Sequence, residues 1–254
     1  MDINLNLSVV KIGGSCFDTT NKAICQIADQ LLIIHKNFPL ILNVGGGELL
    51  SVCLRKIKKY ERSGSLTSLT IHAMNFNCYL LSLLLKYEAV RVIESGRKDD
   101  ISESLSSGYL PIVPFAKNET FRSLNKQFFP NQSDMTTALL AEEFQAKRCV
   151  FVKNLPGICS RDPNSREKIA KRFVTIDKPI NINEEKNDTT IYIYKTITID
   201  EVVGVISKDH VIEKKCIEFI RESKHLKEIF FVSGRNSAIL ELFEGKNIGT
   251  RLVA

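Results

Sequence analysis

Two stretches of this chain follow one plan. VVKIGGS at residues 9–15 and LILNVGGGE at 40–48 each run from a short aliphatic, β-branched segment into glycines, and each is followed by apolar residues at helical spacing. Strand, glycine turn, helix, repeated within fifty residues, is the pattern of a βαβ chain whose turns lie at the carboxyl ends of parallel strands. Glycines there serve either a plain turn or an anion site, where small residues let backbone N–H groups approach an oxyanion. Lys11 favours neither reading alone: a plain turn needs no lysine, whereas an anion site uses its charge.

The rest of the chain continues the alternation. Ile24, Ile27, Ala28, Leu31, Leu32 and His35 place a helix over 20–36, closed by Pro39, and Leu49, Leu50, Cys53, Leu54 and Ile57 place a second one. Helices are expected near 67–87, 99–106 and 134–146, with strands at 89–93, 110–115 and 149–153. Residues 160–200 are polar, with turn signals around short β-like runs such as TIYIYK. A helix near 209–223, the strand EIFFVS at 228–233, a short helix near 236–244 and a terminal strand GTRLVA complete the chain. The fold class is α/β, with a largely parallel sheet and helices on both faces. One domain, residues 1–254, is expected, with an N-terminal lobe to about 146 and a C-terminal lobe from about 147.

Composition narrows the partners. Thirty-five Lys and Arg against 29 Asp and Glu give a net charge of +6, which suits an anionic small molecule but is too dispersed for nucleic acid. The densest basic run, Arg55 to Lys59, ends a helix and compensates its dipole. Seven cysteines at wide spacing, without a C-x-x-C pair, indicate neither a disulfide framework nor a metal site and fit a reducing cytoplasm. No signal peptide and no membrane-spanning segment is expected.

Two glycine turns and one lysine suit two anions held side by side, the arrangement phosphoryl transfer requires. Neither G-x-x-x-x-G-K-[ST] nor G-x-G-x-x-G occurs. Instead the order of VVKIGGS, NVGGGE at 43–48, NQSDMTTALLA at 131–141, FVKNLPGICSRDP at 151–163 and GKNIGTRL at 245–252 resembles the amino acid kinase family, across nearly the whole chain. Within the family, the segments GGGE, LPIVPF and the C-terminal tail look most similar to the furan phosphate kinase of methanofuran synthesis and to molybdenum storage protein subunits.

That resemblance implies an open, eight-stranded α/β/α sandwich and an ATP-dependent kinase using Mg2+. Its acceptor would be anionic, most simply a phosphate monoester as for furan phosphate or uridylate kinases; the alternative is a non-catalytic nucleotide- or oxyanion-binding protein of the molybdenum-storage type. By matched motif, Lys11 would neutralise the transferring group, with Gly13, Gly14 and Ser15 beside it, and Gly45, Gly46 and Gly47 would hold the acceptor's anion. Asp134 would orient lysines and reacting groups; at the start of a helix it also answers the dipole. Lys153, Asn154, Gly157, Ile158, Cys159, Asp162 and Pro163 would line the nucleotide pocket. A homo-oligomer, dimer or hexamer, is implied as well.

The chain departs from the family where V-D-G-[IV]-Y is common, since Leu155-Pro156-Gly157-Ile158-Cys159 offers neither the carboxylate nor the ring. Weaker or less base-selective ATP binding is expected from Pro156. Lys153 and Lys195 are the candidates for a second catalytic lysine. Asn75 and Asn77 read as filler on the polar face of their helix, and Glu48 as an acceptor contact or a first-turn glutamate facing the dipole. The four histidines, His35, His72, His210 and His225, are too scattered for the cluster-binding loops that the storage proteins imply.

Overall fold

The computed structural model describes residues 6–18, 23–58, 66–114, 133–160, 172–177, 190–205 and 212–254. The first half runs β1 (Ser8–Ile12), α1 (Ala23–His35), β2 (Leu40–Val44), α2 (Gly47–Lys58), α3 (Leu66–Leu84), β3 (Val90–Val92), α4 (Lys98–Ser106) and β4 (Leu110–Ile112). Then come α5 (Ser133–Glu143), β5 (Arg148–Lys153), β6 (Arg172–Ile176), β7 (Thr190–Tyr194), β8 (Thr196–Thr198), α6 (Ile199–Val205), α7 (Lys214–Glu222), β9 (Glu228–Ser233), α8 (Ala238–Phe243) and β10 (Thr250–Val253).

Eight strands form one open sheet in the order β3-β4-β2-β1-β5-β9-β10-β8, and β6 pairs in parallel with β7 in a separate two-stranded sheet. The six strands from β3 to β9 are mutually parallel; β10 runs antiparallel to β9, and β8 follows β10. The expected α/β/α sandwich is therefore present. The chain steps from β1 to β2 on one side and returns to β5 on the other, which makes the carboxyl end of β1 the topological switch point.

Alternation along the central strands divides the core. Val9, Ile41, Cys149, Phe151 and Phe231 face α5 and α7, while Val10, Ile12, Leu42, Val150 and Val152 face α1, α3 and α8. Phe151 and Phe231 meet edge to face, with ring centroids 5.2 Å apart. Period two then puts Lys11, Asn43 and Lys153 on the α5 side with Val9, Ile41 and Phe151. A lysine in a strand buried at every position needs a counter-charge on that face.

Several elements differ from their expected limits. α5 stops at Glu143 rather than 146 because Gln145 turns left-handed, at φ 48°, and the Ala146 N–H returns to the Ala141 carbonyl at 2.8 Å. The helix expected over 209–223 begins at Lys214, with residues 206–211 outside the described ones. β6 and the three-residue β8 lie in the polar stretch 160–200 that reads mainly as loop, and α6 begins at its end.

Candidate active site

The counter-charge for Lys11 is Asp134, in the first turn of α5. Lys11 Nζ donates to Asp134 Oδ1, and Lys153 Nζ reaches the same carboxylate at 3.0 Å from Oδ1 and 3.4 Å from Oδ2. Lys11 lies opposite Phe151 in the β1–β5 register, and Lys153 is two residues further along the same face. Two ammonium groups thus share one buried carboxylate at the switch point. A third element contributes Glu213, just before α7, whose backbone N–H donates to Asp134 Oδ2 at 3.1 Å. Its own carboxylate accepts from the N–H groups of Asp134 (3.4 Å) and Met135 (3.2 Å).

The charges bias one another. Burial would raise the Asp134 carboxyl, but the two lysines outweigh it and hold the group well below the usual carboxylate range. Burial would lower Lys11, yet Asp134 and Glu213 leave it raised. Lys153 is lowered, by burial and by the charge of Lys11 against the pull of Asp134, so it is the more readily deprotonated of the pair. Burial and then the Asp134 charge push Glu213 up to about 7.

Both glycine turns meet beside this cluster. The Gly13 N–H donates to Val152 O at 2.7 Å and the Gly45 N–H to Ile12 O at 3.0 Å, so each turn extends its strand's ladder by one bond. Past those bonds the chains touch: a Cβ on Gly45 would lie 2.8 Å from Gly14 N, and Gly47, at φ 66°, packs on the Gly14 carbonyl. Gly13 and Gly46 are buried, and Ser15 is exposed on the single 3-10 turn Gly14–Phe17. Asn77 on α3 is not filler: it is buried, and its Nδ2 donates to Gly45 O at 2.7 Å, fixing the second turn. Asn43 holds the chain after β4, donating to Val113 O at 2.7 Å while accepting from Thr137. The side chain of Glu48 falls outside the described ones.

A cavity of about 810 Å³ opens on the C-terminal side, between the β5 and β9 exits and the small sheet. Asn154, Pro156, Phe173, Ile193, Lys195 and Arg235 are among its walls, and Arg235 Nε donates to Asn154 Oδ1 at 3.2 Å. Of the segment expected to line a nucleotide pocket, only part lines this cavity. Lys153 turns to Asp134, and Asn154 reaches the cavity. Gly157, Ile158 and Cys159 form its backing: the chain dives inward after Pro156, the Ile158 N–H donates to Thr250 Oγ1 at 2.8 Å, and Cys159 packs on Ile191 and Ile193. A Cβ on Gly157 would meet Thr250 Oγ1 at 2.4 Å. Asp162 and Pro163 lie outside the described residues. Lys195 pairs with Asp177 at 2.9 Å and stands apart from Asp134.

Glu213, Asn43, Arg235 and Phe173 were not singled out by sequence. Asn43 alone left a signal, as the one polar residue in an otherwise apolar strand.

Residues 6–192 match the amino acid kinase family. The chain belongs to that family. Two curated relatives are each 22% identical: the molybdenum storage protein subunit beta of Azotobacter vinelandii, over 97% of this chain and 86% of the relative, and the uridylate kinase of Archaeoglobus fulgidus, over 95% and 97%. Among solved structures, the Archaeoglobus fulgidus uridylate kinase superposes with TM-score 0.67 at 20% identity, covering 97% of this chain and 99% of that one. The UMP kinase of Ureaplasma parvum superposes with TM-score 0.69 at 16% identity, covering 98% and 99%. The family's fold is what these superpositions share. Among the described residues no helix is long and apolar enough to cross a membrane.

Proposed function

We propose that this chain is an ATP-dependent phosphotransferase that moves the γ-phosphoryl group to a small anionic acceptor, most simply a phosphate monoester. The observation that carries this reading is the pair Lys11 and Lys153 on one buried carboxylate, at the mouth of two touching glycine turns. The two ammonium groups are held in a nearly dry site, the environment in which a fixed ammonium group stabilises a transferring phosphoryl group most.

In this reading Lys11, held by Asp134, faces the transferring group, and Lys153 helps neutralise it from the donor side. Backbone at Gly14, with Ser15 at the rim, meets that group, while Gly46 and Gly47 hold the acceptor's anion; the N–H groups of Gly13 and Gly45, expected to serve the same anions, are taken by the Val152 and Ile12 carbonyls, so these two glycines shape the turns instead. The 810 Å³ cavity has the size and mixed lining of a nucleotide site, with Arg235 and Lys195 available to phosphate or ribose oxygens. The residues present do not fit a protein-held Mg2+. The Asp134 oxygens are occupied by lysines and a backbone N–H, and no cluster of three or more metal-ligating side chains occurs among the described residues. Mg2+ would arrive on the triphosphate.

The two lobes expected from sequence then become an acceptor half and a nucleotide half of one domain. A reducing cytoplasm fits seven free cysteines, and a homo-oligomer fits the exposed Phe76 and Leu83, seven residues apart on α3.

The test is an ADP-release screen of phosphate monoesters and acidic amino acids, followed by Lys11→Met. The variant is expected to lose about 100-fold or more in kcat with a far smaller change in nucleotide Kd. Wild-type-like turnover in Lys11→Met counts against the assignment. The similarity to a molybdenum storage subunit supports a second reading, oxyanion or nucleotide binding without turnover, which predicts ligand-induced stabilisation and no ADP from any acceptor.

A further inference from the structure

We propose that Glu213 is a positioning residue for the Lys11–Asp134–Lys153 cluster, a clasp that fixes the direction of the Asp134 carboxylate; its kinetic role rests on the phosphotransfer reading. The first N–H groups of α5 lack partners within their own helix. Glu213 accepts from two of them, those of Asp134 and Met135, and returns its own N–H to Asp134 Oδ2 at 3.1 Å. This is the reciprocal logic of a capping box, built by a residue 79 positions away. Glu213 is also the N-cap of α7, yet its side chain makes no capping bond there, because it is engaged on α5. Two helix N-termini therefore converge on the cluster through one residue.

A neutral side chain would suffice to cap α5. A second carboxylate set beside Asp134 does more, because its ionisation changes the charge of the site. The groups facing it are Asp134 on α5, Lys11 on β1, Lys153 on β5 and the Cys216 thiol on α7. With all four charged residues ionised, two lysines balance two carboxylates. When Glu213 takes a proton, the site gains one positive charge but the neutral acid accepts the two N–H bonds more weakly than the carboxylate does, and the clasp loosens. Because Glu213 sits near neutrality, at about 7, this exchange lies in the working range of pH.

The experiment combines kinetics with a readout that needs no turnover. In wild type, the Met135 amide proton resonance should titrate with a midpoint near 7, following the carboxylate it donates to; a flat Met135 amide between pH 5 and 9 overturns the proposal. In Glu213→Gln that titration should vanish. Its kcat should fall about 10- to 100-fold at pH 8 with nucleotide KM changed less than about threefold, and the rise of kcat through pH 7 should flatten. A Glu213→Gln enzyme with wild-type kcat and pH profile also overturns it. If Glu213→Gln does not fold, Glu213→Asp, whose shorter arm reaches fewer N–H donors, should show a smaller Met135 titration and a lower kcat, and wild-type values of both overturn the proposal. If wild type turns over no acceptor while Met135 titrates, the phosphotransfer reading fails and the clasp stands.

Discussion

A side chain on Gly14 would have to begin where the Gly47 amide nitrogen already lies: a Cβ there would stand 2.1 Å from it and 2.4 Å from Gly47 Cα. The two glycine turns are one surface, held together by the absence of side chains. Gly14→Ala is therefore expected to force backbone apart, costing about 3 kcal/mol or more by urea denaturation. Gly108→Ala is the control, since Gly108 has a positive φ of 76° but nothing within 4 Å of its added Cβ. Only conformational strain applies there, about 1 to 2 kcal/mol. Equal losses in the two variants would contradict the close contact.

Asp134→Asn removes the counter-charge from two buried ammonium groups. A loss of roughly 3 to 5 kcal/mol is expected at neutral pH. Without Asp134, the Lys153 proton is held still less firmly in the folded state than in the unfolded one. The unfolded state then binds more protons, so the variant's stability should rise with pH towards the ordinary lysine pKa. Denaturation at pH 7 and 9.5 reads the slope, and a falling one would speak against a shared carboxylate. Added inorganic phosphate should partly restore stability by replacing the lost charge.

α5 and α7 are joined by glutamates at both ends, and the two should respond to pH in opposite senses. Glu142 accepts backbone N–H bonds from Lys224, His225 and Leu226 at 2.8 to 3.2 Å. Burial would raise its carboxyl, but those donors outweigh it and lower it, so its contribution is present above the unfolded glutamate pKa and lost as pH falls through the folded one. Glu213 is raised to about 7, so the folded state binds the extra proton and stability falls as pH climbs from about 4.5 to 7. Glu142→Gln should be least harmful in acid, whereas Glu213→Gln should remove the decline towards neutrality. Melting temperatures from pH 3 to 8 test both.

Arg235 is exposed at the cavity rim, bonded to Asn154. If phosphate oxygens of a nucleotide meet it, Arg235→Ala should raise the ATP Kd about tenfold, roughly 1.4 kcal/mol, with the melting temperature of the free protein nearly unchanged. Calorimetry showing wild-type affinity would move the triphosphate elsewhere.

The parts of the site that were legible are those written in local pattern. Lys11, next to last in β1, and Lys153, last in β5, share the phase of Val9 and Phe151, so period two sets them on one face, and Asp134 opens a helix. Gly14 and Gly47 were legible as glycines but not as neighbours, because their contact depends on the β1–β2 register. Glu213 left no trace: it lies 79 residues from Asp134, in a stretch whose helix begins later than its apolar spacing implied. Phe173 was hidden because β6 is a half-exposed strand amid polar residues, where alternation carries little apolar contrast. Asn77 was misread because one helix face looks alike whether it meets water or a carbonyl, and only the position of Gly45 decides which.

The ion pair between Lys11 and Asp134 spans 123 residues, and β1 takes its second neighbour, β5, only from Arg148 onward. A ribosome adding about 5 to 20 residues per second leaves Lys11 without its carboxylate for roughly 6 to 25 s after it is made. Through that interval the innermost strand of the finished sheet is an edge, open on one side and carrying an unmatched charge. That charge guards the growing chain: an edge bearing a lone ammonium resists pairing with another strand until the correct one arrives.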